Sequence, residues 1–140
     1  MIELDNQTDL QINIEKLEEI ASVLTHSPIE LIITDNATIQ KLNAQYRDKD
    51  KPTDVLSFPI DQEIPGMPLG SIIISEAFVH EKADDFGHSY QDEFSLLFIH
   101  GLLHLLGYDH EIDNGEMRQK EESLIKEFDL PESLIVRTEK

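Results

Sequence analysis

The sequence predicts an α+β fold in a single domain spanning residues 1–140, and three features predict it. β-branched runs alternate with segments whose apolar residues recur at helical spacing. The segment Tyr90 to Leu106 is apolar nearly all round in its second half, which marks a helix packed on more than one side. No repeat, low-complexity run or Ser/Gly linker divides the 140 residues. The expected architecture is a small mixed sheet of roughly four strands with up to about five helices, the apolar helix at the centre.

Taken in order, residues 1–5 form a short strand. From Asn13 onward, Ile14, Leu17, Ile20, Ala21 and Leu24 mark a helix, with Glu15, Lys16, Glu18 and Glu19 on its other side. Pro28 precedes IELIIT, a run too short and too β-branched for a helix, and Asp35 caps a second helix that carries Ile39, Leu42 and Tyr46 inward. After the polar stretch RDKDKPTD, VLSFP is a strand stopped at Pro59. The Pro/Gly loop at 61–68 leads into LGSIIIS, a second buried strand, and so short a connection lets the two run antiparallel.

Ser75 caps a helix bearing Ala77, Phe78, Val79, Ala83 and Phe86, and Gly87 stops it. Gly107 ends the apolar helix. Asp113 and Glu116 form an Asp-x-x-Glu capping box before a last helix with Met117, Leu124, Ile125 and Phe128 inside and its glutamates on a solvated face. Residues after Pro131 read as a loose tail.

Composition narrows the chemistry. Twenty-nine Asp and Glu against eleven Lys and Arg give a formal charge of -18, which excludes a globally basic nucleic-acid binder. A polyanionic partner then needs a local positive strip or a bound metal. The absence of cysteine removes disulfides, thiolate nucleophiles and Cys-containing zinc sites, so a metal has to sit on His and carboxylates. No stretch approaches the ~20 apolar residues of a membrane span, and MIELDNQTDLQINIE has neither a basic n-region nor an apolar h-region. The expectation is a cytoplasmic protein with no membrane partner.

Three of the six histidines fall in HGLLHLLGYDH. His100 and His104 are one helical turn apart and project from one face, while a left-handed Gly107 turns the chain back to bring His110 to a third ligand position. Three neutral imidazoles leave a fourth position for water, the arrangement of a catalytic zinc site. For a lone histidine the ordinary reading is a core residue bonded to backbone or water. Two unpaired imidazoles on an apolar helix would each carry about 1–3 kcal/mol of desolvation, which a shared ion removes. The spacing also copies the metzincin signature H-E-x-x-H-x-x-G-x-x-H, except that Gly101 stands where that protease motif has its Glu base.

The second dense segment is YRDKDKPTDVLSFP, with Arg47, Lys49 and Lys51 in five residues. For Lys49 and Lys51 a solvated loop is as good a reading as substrate binding. Arg47 is the better candidate, because a guanidinium grips phosphate bidentately. With Lys41 these cations and the metal would make one positive groove.

YRDKDKPTDVLSFP followed by LGSIIIS and HGLLHLLGYDH resembles the YbeY family of bacterial metallo-endoribonucleases, over most of the chain. The resemblance implies a zincin-like fold and one Zn2+ on His100, His104 and His110. It also implies cleavage of single-stranded RNA in ribosomal RNA maturation, including the small-subunit 3′ end, and in ribosome quality control. Arg47 and His100 match the family's functional arginine and first motif histidine. The implied partners are ribosomal RNA and the ribosome or its small-subunit proteins, not DNA. Gly70-Ser71 departs from the family's usual Gly-Asp. Two other readings stay open at this point: a noncatalytic ribosome assembly factor with a stabilising metal, and a metalloprotease, against which Gly101 speaks.

Overall fold

Hydrophobic runs and helical stripes resolve into β1 (Ile2–Asn6), α1 (Ile14–Leu24), β2 (Ile29–Thr34), α2 (Asn36–Arg47), β3 (Val55–Pro59), β4 (Gly70–Ser75), α3 (Glu76–Phe86), α4 (Tyr90–Leu105) and α5 (Glu116–Glu127). These come from a computed structural model that describes residues 2–60 and 68–131. The sheet order is β1-β2-β4-β3, with β1, β2 and β4 parallel and β3 antiparallel to β4 at the edge. The expected mixed α+β sheet is therefore present, including the antiparallel β3–β4 pair. The loop at 61–67 and the tail from 132 lie outside the described residues.

Side chains alternate across the sheet with period two, so each strand feeds both faces. Leu31 and Ile33 of β2 and Ile72 and Ile74 of β4 face a large core shared with Leu17 and Ile20 of α1 and Phe94, Leu97, Phe98 and Leu102 of α4. Ile73 and Leu56 turn to the opposite face, where Ile39 of α2 covers them. Helix α4 is buried on nearly every side, in keeping with its unbroken apolar sequence.

Two glycines set how closely α4 meets the sheet and where it stops. A Cβ on Gly101 would lie 2.9 Å from Ile72 Cγ2 and 3.1 Å from Ser57 Oγ. That contact is closed by Ser57 Oγ donating to the Gly101 carbonyl at 3.0 Å. At the C-terminal end Gly107 takes φ +97°, and its N–H bonds the His104 carbonyl at 3.0 Å while Tyr108 N–H bonds that of Leu103 at 3.0 Å. The carbonyls orphaned at the helix end are thus satisfied as the chain reverses.

Several expectations need correcting. Tyr46 is 60% exposed and only rests edge-on against Phe58, ring centroids 5.3 Å apart. β3 is the edge strand, so among the described residues no further strand lies beyond Phe58 to cover it. Asn43 is the buried residue of that turn, and its side-chain amide donates to the Lys51 carbonyl at 2.9 Å. Ala77 and Phe86 of α3 are also exposed, since that helix buries a narrow stripe of Val79 and Ala83. The cap of α5 is Gly115, not Asp113. Asp113 nevertheless serves the helix start from outside, accepting from the amides of Gly115 at 2.9 Å and Met117 at 3.0 Å.

Candidate metal centre and cleft

Helix α4 presents His100 and His104 one turn apart, ring centroids 4.8 Å from each other. The Gly107 turn then carries His110 back, with its ring 5.3 Å from that of His100 and 5.8 Å from that of His104. One ring nitrogen from each of the three lies within 4.8 Å of the other two, close enough to share an ion. The turn is held by Asp109, whose carboxylate accepts from the Glu111 amide at 3.0 Å and whose carbonyl accepts from Ile112 and Asp113.

The chemistry of this donor set fits a divalent transition-metal ion. His100 Nδ1 is 2.8 Å from Glu121 Oε2; a carboxylate there accepts the Nδ1 proton and leaves Nε2 with its lone pair. His110 Nδ1 is buried and has no hydrogen-bond partner, which costs free energy unless something outside the polypeptide satisfies it. Burial, followed by the nearby His100 and His110, holds the His104 pKa below the ordinary imidazole value and so favours the neutral, ligating form.

The histidines open onto a cleft of about 560 Å³ that passes the edge strand β3 and reaches the end of α2. Arg47, Lys49 and Lys51 line this same cleft, with Asn43, Asp54, Ser57 and Asp109 among the remaining residues. Asp48, at φ 57°, ends α2 in a left-handed turn. The Lys49 amide bonds the Asn43 carbonyl at 3.2 Å, and Gln40 Nε2 donates to Asp50 Oδ1 at 3.0 Å, folding the cationic loop back on the helix. Arg47, Lys49, Lys51, His100, His104 and His110 are thereby gathered in one concavity. Lys41 is not among the residues lining it. Ser71 is also elsewhere, donating to Glu30 Oε1 across β4 and β2 at 2.9 Å.

Sequence reasoning missed Glu121. The solvated glutamate face expected on α5 does not include this residue, which is 1% exposed. The signal was present: residue 121 falls on the stripe formed by Met117, Leu124 and Phe128, where a lone carboxylate among apolar residues needs a partner.

At Gly101 the protease-like pattern departs on steric grounds as well as chemical ones. Ile72, Ser57 and Val55 occupy the space where a side chain would begin. Gly101→Glu is expected to destabilise the fold by about 1–3 kcal/mol through overpacking and to yield no peptide hydrolysis, as read by thermal melting and a casein assay.

A family model described as endoribonuclease YbeY matches residues 2–129. The chain is 62% identical to the endoribonuclease YbeY of a Sulfurovum species over 99% of this chain and 98% of that protein. It is 54% identical to that of Helicobacter pylori, with 99% of each covered. The solution structure of a Thermotoga maritima protein superposes with a TM-score of 0.63 at 32% identity, covering 91% of this chain and 89% of that one.

Proposed function

The chain belongs to the endoribonuclease YbeY family, and from that premise we propose that it is a single hydrolase domain that cuts single-stranded RNA in the maturation of ribosomal RNA. The 3′ end of the small-subunit RNA and ribosome quality control are its proposed settings. The observation that carries this reading is the convergence of His100, His104 and His110 in one cleft with Arg47, Lys49 and Lys51. A three-imidazole site and a cationic strip are together suited to a phosphodiester.

The three histidines are the ion's holders, and zinc is the proposed ion because three neutral imidazoles with an open fourth position suit it. When bound, such an ion supplies Lewis acidity toward a phosphoryl oxygen and lowers the pKa of water. Arg47 grips the scissile phosphate bidentately and stabilises the charge that develops on it. Lys49 and Lys51 act as point charges on the flanking phosphates. His100 counts as catalytic through the ion it holds.

A formal charge of -18 keeps intrinsic RNA affinity low, so a small-subunit ribosomal partner supplies the remainder in this proposal, with the cytoplasm as the compartment and no role for DNA. Among the described residues no helix is long and apolar enough to cross a membrane. If Arg47, Lys49 and Lys51 each neutralise one phosphate, log affinity for a single strand falls with log salt at a slope of about -2, and Lys51→Ala makes it shallower by about 0.7. Anisotropy titrations measure this; binding insensitive to salt contradicts the groove.

Chelation should abolish RNA cleavage and zinc should restore it, with the circular dichroism spectrum unchanged. Cleavage that persists in metal-free protein would overturn the proposal.

A further inference from the structure

Glu121 is a carboxylate buried to 1% exposure on the inner stripe of α5, between Met117 and Leu124. An ionisable group held there is disfavoured unless the fold uses it. Its Oε2 meets His100 Nδ1 at 2.8 Å. The carboxylates that line the cleft among the described residues are Asp54, Asp109 and Glu111, and the first two hold backbone: Asp54 Oδ1 accepts from Val55 N–H at 2.8 Å and Asp109 Oδ1 from Glu111 N–H. Glu121 instead reaches a histidine on a different helix.

We propose that Glu121 is the positioning residue of the metal centre, fixing His100 with its proton on Nδ1 and its Nε2 lone pair free for the ion. The inference rests on the reading of His100, His104 and His110 as metal ligands. Three effects follow from the one hydrogen bond. The tautomer is selected, because the carboxylate only accepts. Rotation of the His100 ring is restrained, so one ligand is placed before the ion arrives. The buried negative charge offsets part of the charge a dication brings to three neutral ligands.

The chain path supports this division of labour. The segment leaving α4 at Gly107 first delivers His110, then is pinned by Asp113 at the start of α5, and three turns of that helix contain Glu121. The third ligand and the residue that orients the first are thus placed by one continuous stretch of chain.

Glu121→Met tests the proposal in the full chain, since an apolar side chain of similar size removes the acceptor without opening a cavity. The zinc dissociation constant, measured by chelator competition, is expected to rise roughly 10–100-fold. Nitrogen-15 spectra of the metal-free variant should show His100 leaving the Nδ1–H tautomer, and a purely structural contact would not pair that change with a loss of zinc affinity in the folded variant. Glu121→Gln keeps an acceptor oxygen and should recover the tautomer and part of the affinity, and it carries the test if Glu121→Met does not fold. Glu122→Gln, on an exposed neighbour facing Arg118, should leave zinc affinity unchanged. Zinc affinity within threefold of wild type together with an unchanged His100 tautomer would overturn the inference alone. A wild-type chain that takes up no zinc would defeat the metal-site reading beneath it.

Discussion

His104→Ala is expected to abolish RNA cleavage and to weaken zinc binding beyond the roughly 10–100-fold cost of losing an outer partner, because one of the three proposed ligands disappears. His104 lies on the last turn of α4, within ligating distance of the other two imidazoles. Equilibrium dialysis and the cleavage assay read the two losses. The same substitution should change the acid response of the metal-free chain. The His104 pKa is lowered in the fold, first by burial and then by His100 and His110, so below the unfolded value of about 6.5 the unfolded state binds more protons and is favoured. Stability therefore falls as pH drops through about 6.5, and His104→Ala should flatten that fall in denaturant titrations at pH 7 and pH 5.5. A variant that still binds zinc as tightly as wild type would remove His104 from the site.

Arg47→Ala is expected to lower kcat by about 10²- to 10³-fold, the usual effect of deleting a donor aimed at developing charge. The zinc content should stay at one per chain, since Arg47 comes from α2 and none of the three histidines does. KM should move less than kcat if the guanidinium acts mainly in the transition state. Arg47→Lys keeps the charge but not the planar fork and should recover only part of the rate. Lys49→Ala and Lys51→Ala should raise KM a fewfold with kcat nearly unchanged. Steady-state kinetics on a short single-stranded RNA separate these outcomes.

Much of this was legible in the residues, for identifiable reasons. IELIIT, VLSFP and GSIIIS are short β-branched runs bounded by turn residues, and they are strands β2, β3 and β4. The apolar run after Tyr90 became the buried helix because no polar face was available to turn toward water. His100, His104 and His110 could be grouped because helical pitch and one glycine fix their relative placement. Arg47 could be singled out by its type, but its arrival in the same cleft depends on how α2 ends against β3, a tertiary fact.

What could not be read depended on neighbours. Tyr46 sits at helical spacing from Ile39 and Leu42, yet among the described residues only Phe58 of the edge strand meets its ring. Asp113 and Glu116 have the spacing of a capping box, yet Gly115 supplies the backbone turn and Asp113 feeds the amides from outside the helix. Glu121 is one glutamate among many on α5. Its burial against the imidazole of the neighbouring helix separates it from those facing solvent.

The central claim, that this cleft cuts RNA, is tested most directly with an end-labelled RNA containing single-stranded and duplex segments. Zinc-loaded wild type, a zinc-loaded Arg47→Ala chain and a no-protein control are compared. The expected result is internal cleavage in the single-stranded segment by wild type and its loss in an Arg47→Ala protein that remains folded and metal-bound. Equal cleavage by the two proteins, or none by wild type, would contradict it.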